Sequence, residues 1–171
     1  MKDKNKQTAN FGGTFVIKKH YYSWTDTENM CTNIVKQMYA DNWRPDYIVG
    51  LTRGGNIPAT IISNMLDIRC EAMKVSFRND DRVDTNFWLS RHATDSNILI
   101  VDDINDTGAT FNWIWTDWDL EEREHKVRFA VLTENSASDF GNVDYHVHEV
   151  DKLEEDVWLV YPWENVGDYD V

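Results

Sequence analysis

Short unbroken apolar runs and helically spaced apolar positions take turns along this chain, and that alternation predicts its elements. "TFVIKKHYYSW" (residues 14–24) carries the β-branched and aromatic residues of a strand. Thr25-Asp26-Thr27-Glu28 sets an acceptor three residues ahead of a glutamate, the pattern of a capping box. Behind it Cys31, Ile34, Val35 and Met38 recur at helical spacing and predict a helix to about residue 41. "YIVG" (47–50) reads as a buried strand closed by the loop "LTRGGN". "IPATIISNML" follows as a second helix, with Pro58 in its first turn. "AMKV" (72–75) and "ILIV" (98–101) predict two further strands, separated by a polar stretch (76–96) long enough to be a functional lid. Phe111, Ile114, Trp115 and Trp118 form the core stripe of a third helix, with Trp113 off it, in a subunit contact or exposed. "RFAVLT" (128–133) is another buried strand.

Strands alternating with helices predict an α/β fold, a mostly parallel twisted sheet with helices on both faces. The segment after residue 142 departs from the alternation and reads as a small cap of strands and loops. Residues 1–13, polar and ending in Gly12-Gly13, read as a flexible tail, and residues 14–171 as a single domain.

Composition narrows the class. A net charge of −13 argues against a nucleic-acid partner, because neutralising phosphates takes a basic surface. With no signal-peptide pattern and no apolar run of membrane-span length, the chain reads as cytoplasmic and without a membrane partner. Cys31 and Cys70 stand alone and read as reduced. His146 and His148 alternate along one strand face, but two histidines without a third ligand read as solvated rather than as a metal site.

The chemistry concentrates in "ILIVDDINDTGAT" (98–110), where a strand runs into three carboxylates and a Thr-Gly-x-Thr turn. Ligands of open parallel sheets bind at the carboxyl ends of the strands, and three polar loops arrive there. Thr107, Gly108, Ala109 and Thr110 offer backbone N–H groups, two hydroxyls and a helix N-terminus, a cradle for a phosphate monoester. Asp102 and Asp103 repel phosphate and suit the hydroxyls of a diol or a hydrated Mg²⁺. Arg53, with Gly54 and Gly55, supplies a cation for a second anionic group. 5-Phosphoribosyl 1-diphosphate has that layout of phosphate, diol and second anion.

"ILIVDDINDTGAT" resembles the signature of the type I phosphoribosyltransferases, and "YIVGLTRGGNIPA" is similar to their diphosphate loop. "YHVHEVDKLEEDVWLVYPWE" resembles the base-binding hood of the bacterial xanthine-guanine branch, here mainly residues 140–166. The resemblance implies transfer of the 5-phosphoribosyl group from 5-phosphoribosyl 1-diphosphate to a purine base, with release of diphosphate. It further implies a mobile loop at about 76–92, Mg²⁺ as cofactor and a homodimer or homotetramer. Residue by residue, Asp102 and Asp103 would hold ribose hydroxyls and Mg²⁺, and residues 106–110 the 5′-phosphate. Thr52, Arg53 and Gly54 would bind diphosphate, with the 52–53 peptide often cis. Asp106 would take the proton that the base loses. Trp158 would stack on the base beside Leu159, and Glu164 would lie near a second metal position.

One departure stands out. Where 6-oxopurine enzymes carry a lysine just after the fourth core strand, this chain has Thr133-Glu134-Asn135. Either Glu134 points elsewhere, or the pocket prefers a base presenting an amino group; a shift of one or two residues would bring in Lys152 or Arg128. A non-catalytic sensor of 5-phosphoribosyl 1-diphosphate or nucleotide, or an enzyme for a different base, is the alternative reading.

Overall fold

The computed structural model describes residues 18–75, 96–122, 126–155 and 157–164. The expected tail (1–13) and mobile loop (76–92) lie outside these residues.

In chain order the elements are β1 (Lys18–Tyr21), α1 (Trp24–Ala40), β2 (Tyr47–Leu51), α2 (Asn56–Leu66), β3 (Cys70–Met73), β4 (Ile98–Asn105), α3 (Ala109–Asp117), β5 (Val127–Asn135), β6 (His148–Val150) and β7 (Val157–Val160). Five strands form one parallel sheet in the order β3-β2-β4-β5-β6. Its central strands carry long apolar runs because helices cover both faces. On one face Cys31, Ile34 and Met38 of α1 and Ile62 of α2 pack on Ile48, Leu99, Val101 and Leu132. On the other, Phe111 and Ile114 of α3 pack on Val49, Ile98, Ile100, Phe129 and Val131. Successive strand residues thus serve opposite cores.

The sequence reading is corrected in four places. The capping box is Ser23 with Asp26, two residues upstream: the Ser23 hydroxyl accepts from the Asp26 N–H at 3.1 Å, and the Asp26 carboxylate accepts from the Ser23 N–H at 2.8 Å. Thr27, read as part of the cap, is instead fully buried at the head of the stripe that continues through Met30, Cys31, Ile34 and Met38. β3 starts and ends earlier than 72–75 because it pairs with β2 from Ile48↔Cys70 to Leu51↔Met73 and stops where its partner stops. Trp113, Trp115 and Trp118 are all partly buried against the α3 core. The C-terminal segment is divided: β6 extends the main sheet beside β5, and β7 pairs in parallel with β1 from the other end of the chain.

Both cysteines are free thiols; burial pushes Cys31 up to about 12, so it is an inert packing residue. Among the described residues no helix is long and apolar enough to cross a membrane.

Candidate functional site

β4 carries its acids beyond an apolar first half. Its first four residues are buried and uniformly apolar; beyond them Asp102 is half-buried and Asp103 is 9% exposed. Each carboxylate accepts the next residue's backbone N–H at 2.9 Å, Asp103 N–H to Asp102 Oδ1 and Ile104 N–H to Asp103 Oδ1. Burial, with the neighbouring charge adding for Asp102, raises both carboxyls above the usual carboxylate range. Two acids held this way are primed for a ligand that donates hydrogen bonds or brings positive charge.

The β2–α2 loop lies directly on them. The Thr52–Arg53 peptide is cis, and the Thr52 N–H donates to the Met73 carbonyl at 2.8 Å. A Cβ on Gly54 would lie 1.9 Å from Asp103 Oδ2, and one on Gly55 would lie 2.3 Å from the Val101 carbonyl. Only glycines let this loop touch the acids. Arg53, exposed, Gly54 and Asp103 line one cleft with Lys19, Tyr21, Trp158, Val160, Trp163 and Glu164, a space of about 800 Å³. Burial and the nearby Asp103 charge raise Glu164.

On the other side of Asp102 lies a smaller concavity, lined by Asp102, Asp106, Thr107, Gly108, Ala109 and Thr110. Gly108 holds φ +82° and starts α3 without a side-chain cap. A Cβ there would sit 2.5 Å from the Phe140 N, so the position is closed to larger residues on two grounds. An uncapped helix N-terminus flanked by two threonines is an anion cradle. Asp102 and Asp103, adjacent on one strand, join the cradle to the cleft.

The expected base-binding residues are dispersed. Trp158, 58% exposed, lines the cleft with Arg53 and Asp103. Leu159 points the other way along β7, is 7% exposed and lines a separate cavity with His20 and His148. Glu134 is turned to Asn105, whose side-chain amide donates to it at 2.8 Å, and it lines neither cleft nor cradle. Burial pushes Glu134 up to about 7, so close to neutrality much of it carries a proton. Asp106, half-exposed beside the cradle, forms an ion pair with Lys152 Nζ at 2.8 Å. No cluster of three or more metal-ligating side chains exists among the described residues.

A file of hydrogen bonds invisible in the sequence holds the acid pair from beneath. The Tyr161 hydroxyl donates to the Asp103 carbonyl at 2.9 Å and lies 2.9 Å from Thr133 Oγ1. Thr133 Oγ1 is 3.1 Å from the Tyr22 hydroxyl, which in turn meets His148 Nδ1. A carbonyl can only accept, so Tyr161 spends its one proton there, Thr133 donates to Tyr161, Tyr22 donates to Thr133 and His148 donates from Nδ1. The file ties Asp103 to β5, β6 and the residues that directly follow both strands of the small sheet. Tyr161 is 1% exposed and stacks on Tyr22 and Trp163 at centroid distances of 4.9 Å. The one hint in the sequence is Thr133, a hydroxyl at the end of the apolar "RFAVL".

The chain resembles known proteins along most of its length. The phosphoribosyl transferase domain model matches residues 18–164. A xanthine-guanine phosphoribosyltransferase of Cereibacter sphaeroides is 32% identical over 133 residues, covering 74% of this chain and 72% of its own. One from Idiomarina loihiensis is 29% identical over 153 residues, covering 86% and 88%. Among solved structures, a purine phosphoribosyltransferase of Pyrococcus horikoshii superposes with a TM-score of 0.69 at 24% identity, over 90% of this chain and 99% of that one. With an acid pair between an anion cradle and an arginine loop, and a family match along nearly the whole described chain, this protein belongs to the phosphoribosyltransferase family.

Proposed function

We propose that the protein transfers the 5-phosphoribosyl group of 5-phosphoribosyl 1-diphosphate to a purine base. The observation that carries this reading is the contact of Gly54 with Asp103, which sets the arginine loop and the phosphate cradle on either side of one acid pair. A phosphorylated pentose spans that arrangement, 5′-phosphate at residues 106–110, hydroxyls at Asp102 and Asp103, diphosphate at Thr52, Arg53 and Gly54. The relatives named above act, by name, on xanthine, guanine and purines, which supports a purine as acceptor.

In the reaction a ring nitrogen of the base forms a bond to C1 of the sugar as the C1–O bond to diphosphate breaks. The electron pair leaves with diphosphate, through an oxocarbenium-like state. Arg53 meets the charge growing on the leaving group, a contribution on the order of 3 kcal/mol for one well-placed donor. The Asp106 carboxylate receives the proton that the base gives up, a factor of about 10²–10⁴. Trp158 offers a stacking surface on the cleft wall.

The residues fit Mg²⁺. Asp103 and Glu164 both line the cleft, and Mg²⁺ takes one or two carboxylates with phosphate oxygens and water completing its shell. Bound there with Asp102 alongside, it would offset charge on the leaving diphosphate. A cytoplasmic salvage role suits a chain with a net charge of −13.

The test is incubation with 5-phosphoribosyl 1-diphosphate, Mg²⁺ and a panel of purines, following nucleotide formation. Turnover is expected. Asp106→Asn should cut it far more than it weakens sugar-phosphate binding. Binding without turnover of any base would instead make the protein a sensor.

A further inference from the structure

Tyr161-Pro162-Trp163-Glu164 is a tight turn directly after β7. The Glu164 N–H donates to the Tyr161 carbonyl at 3.0 Å, and Pro162 stands where such a turn favours proline. The turn lays the Trp163 ring flat on that of Tyr161, 5° from parallel at a centroid distance of 4.9 Å. Each ring carries one polar group. The Tyr161 hydroxyl is spent on the Asp103 carbonyl. The Trp163 indole N–H is buried and meets no acceptor within hydrogen-bonding geometry among the described residues. An indole nitrogen can only donate, and a buried donor left unpaired is rare in a folded protein.

Solvent does not reach that nitrogen, so its acceptor has to come from the protein. Trp163 and Asp103 line the same cleft. Asp103 Oδ1 accepts from the Ile104 N–H, while Oδ2 is the oxygen packed against Gly54. Burial raises the Asp103 carboxyl, and the Trp163 N–H is among the donors that pull it back down, so the indole already acts on this group.

We propose that Trp163 is a positioning residue for Asp103: when 5-phosphoribosyl 1-diphosphate enters the cleft, the Asp103 carboxylate turns to accept the indole N–H and is held facing the ribose hydroxyls. This rests on the function proposed above and adds a residue to its machinery. The stacked pair then grips Asp103 at both ends, Tyr161 by the backbone and Trp163 by the side chain. A carboxylate has about four lone-pair sites, so bonds from Trp163 and Ile104 leave two for the ligand. The donor is unmet in the free protein and met in the complex. Its bond therefore adds to ligand affinity and not to the stability of the free fold.

The experiment measures calorimetric affinity of the full chain for 5-phosphoribosyl 1-diphosphate with Mg²⁺, and the melting temperature without ligand. It compares the native protein, Trp163→Phe, and a protein carrying at position 163 the benzothienyl analogue of tryptophan, the same shape with sulfur in place of N–H. Both changes should weaken binding about 10-fold, the value of one hydrogen bond to a charged group. The benzothienyl protein should melt no lower than the native one. In an Asp103→Ala background Trp163→Phe should cause no further loss, because the acceptor is already gone. Trp24, which meets the Trp163 ring at 6.0 Å and is not part of the cleft lining, is the control, and Trp24→Phe should bind as the native protein does. Native affinity in the benzothienyl protein, or an equal loss from Trp163→Phe with and without Asp103, would overturn the proposal while leaving the transferase reading intact. A native protein that takes up no 5-phosphoribosyl 1-diphosphate would sink both.

Discussion

Replacing Gly54 with alanine puts a methyl group where the Asp103 carboxylate already lies. The new Cβ would be 1.9 Å from Oδ2 and 2.3 Å from Cγ, whereas ordinary contact begins at 3.4 Å. Either the carboxylate, held by the Ile104 N–H, or the loop carrying Arg53 must retreat by about 1.5 Å. A displacement of ~1 Å in a positioned group costs about 100-fold in rate, or about 2.7 kcal/mol of transition-state stabilisation. Gly54→Ala should therefore lose at least that factor in kcat/KM for 5-phosphoribosyl 1-diphosphate. Gly141 is the control: a Cβ there meets nothing within 4 Å, and Gly141→Ala should behave as the native protein. The assay is steady-state diphosphate release for the three proteins, with thermal melts showing that each is folded. Native kcat/KM in Gly54→Ala would refute the claim that this contact aligns the site.

Three further substitutions probe the acids and their support. Asp103 holds its proton more tightly folded than unfolded, so its ionised form opposes folding at neutral pH; Asp103→Asn should raise the melting temperature at pH 7 while abolishing transfer, and a lower melting temperature would contradict this. Glu134 is likewise raised, from its ordinary 4.5 to about 7, so the native protein loses stability as pH rises through that window; Glu134→Gln should be the more stable of the two at pH 8, an advantage fading by pH 5, and equal urea midpoints at both pH values would refute it. Tyr161→Phe strips the buried Asp103 carbonyl of its donor and should cost about 1–3 kcal/mol in urea unfolding together with a fall in kcat; a fully stable, fully active variant would remove the hydrogen-bond file from the account.

What the sequence made legible was local. β4 and its acid loop form one continuous stretch, and strand, turn and helix signals there agree, so the cradle could be placed from the letters alone. Arg53 with its two glycines was equally readable. Contacts between distant segments were not. Lys152 meets Asp106 only because Asn135 clamps two turns together, and nothing near "VDKLEE" announces that partner. Tyr161 looks like one more aromatic after an apolar strand until the fold sets it under Asp103. For Glu134 the sequence left two alternatives, and the structure turns it away from the cleft because its partner is Asn105, on the neighbouring strand. The strands of the C-terminal cap had neither bounds nor partners in the sequence, since the parallel pairing of β7 with β1 joins opposite ends of the chain.

The most direct test is a crystal structure of the protein with 5-phosphoribosyl 1-diphosphate and Mg²⁺. The 5′-phosphate should sit on the backbone amides of residues 107–110, with the ribose hydroxyls at Asp102 and Asp103 and the diphosphate against Arg53 and Gly54. A sugar phosphate bound elsewhere, or one reversed so that diphosphate fills the cradle, would contradict the account.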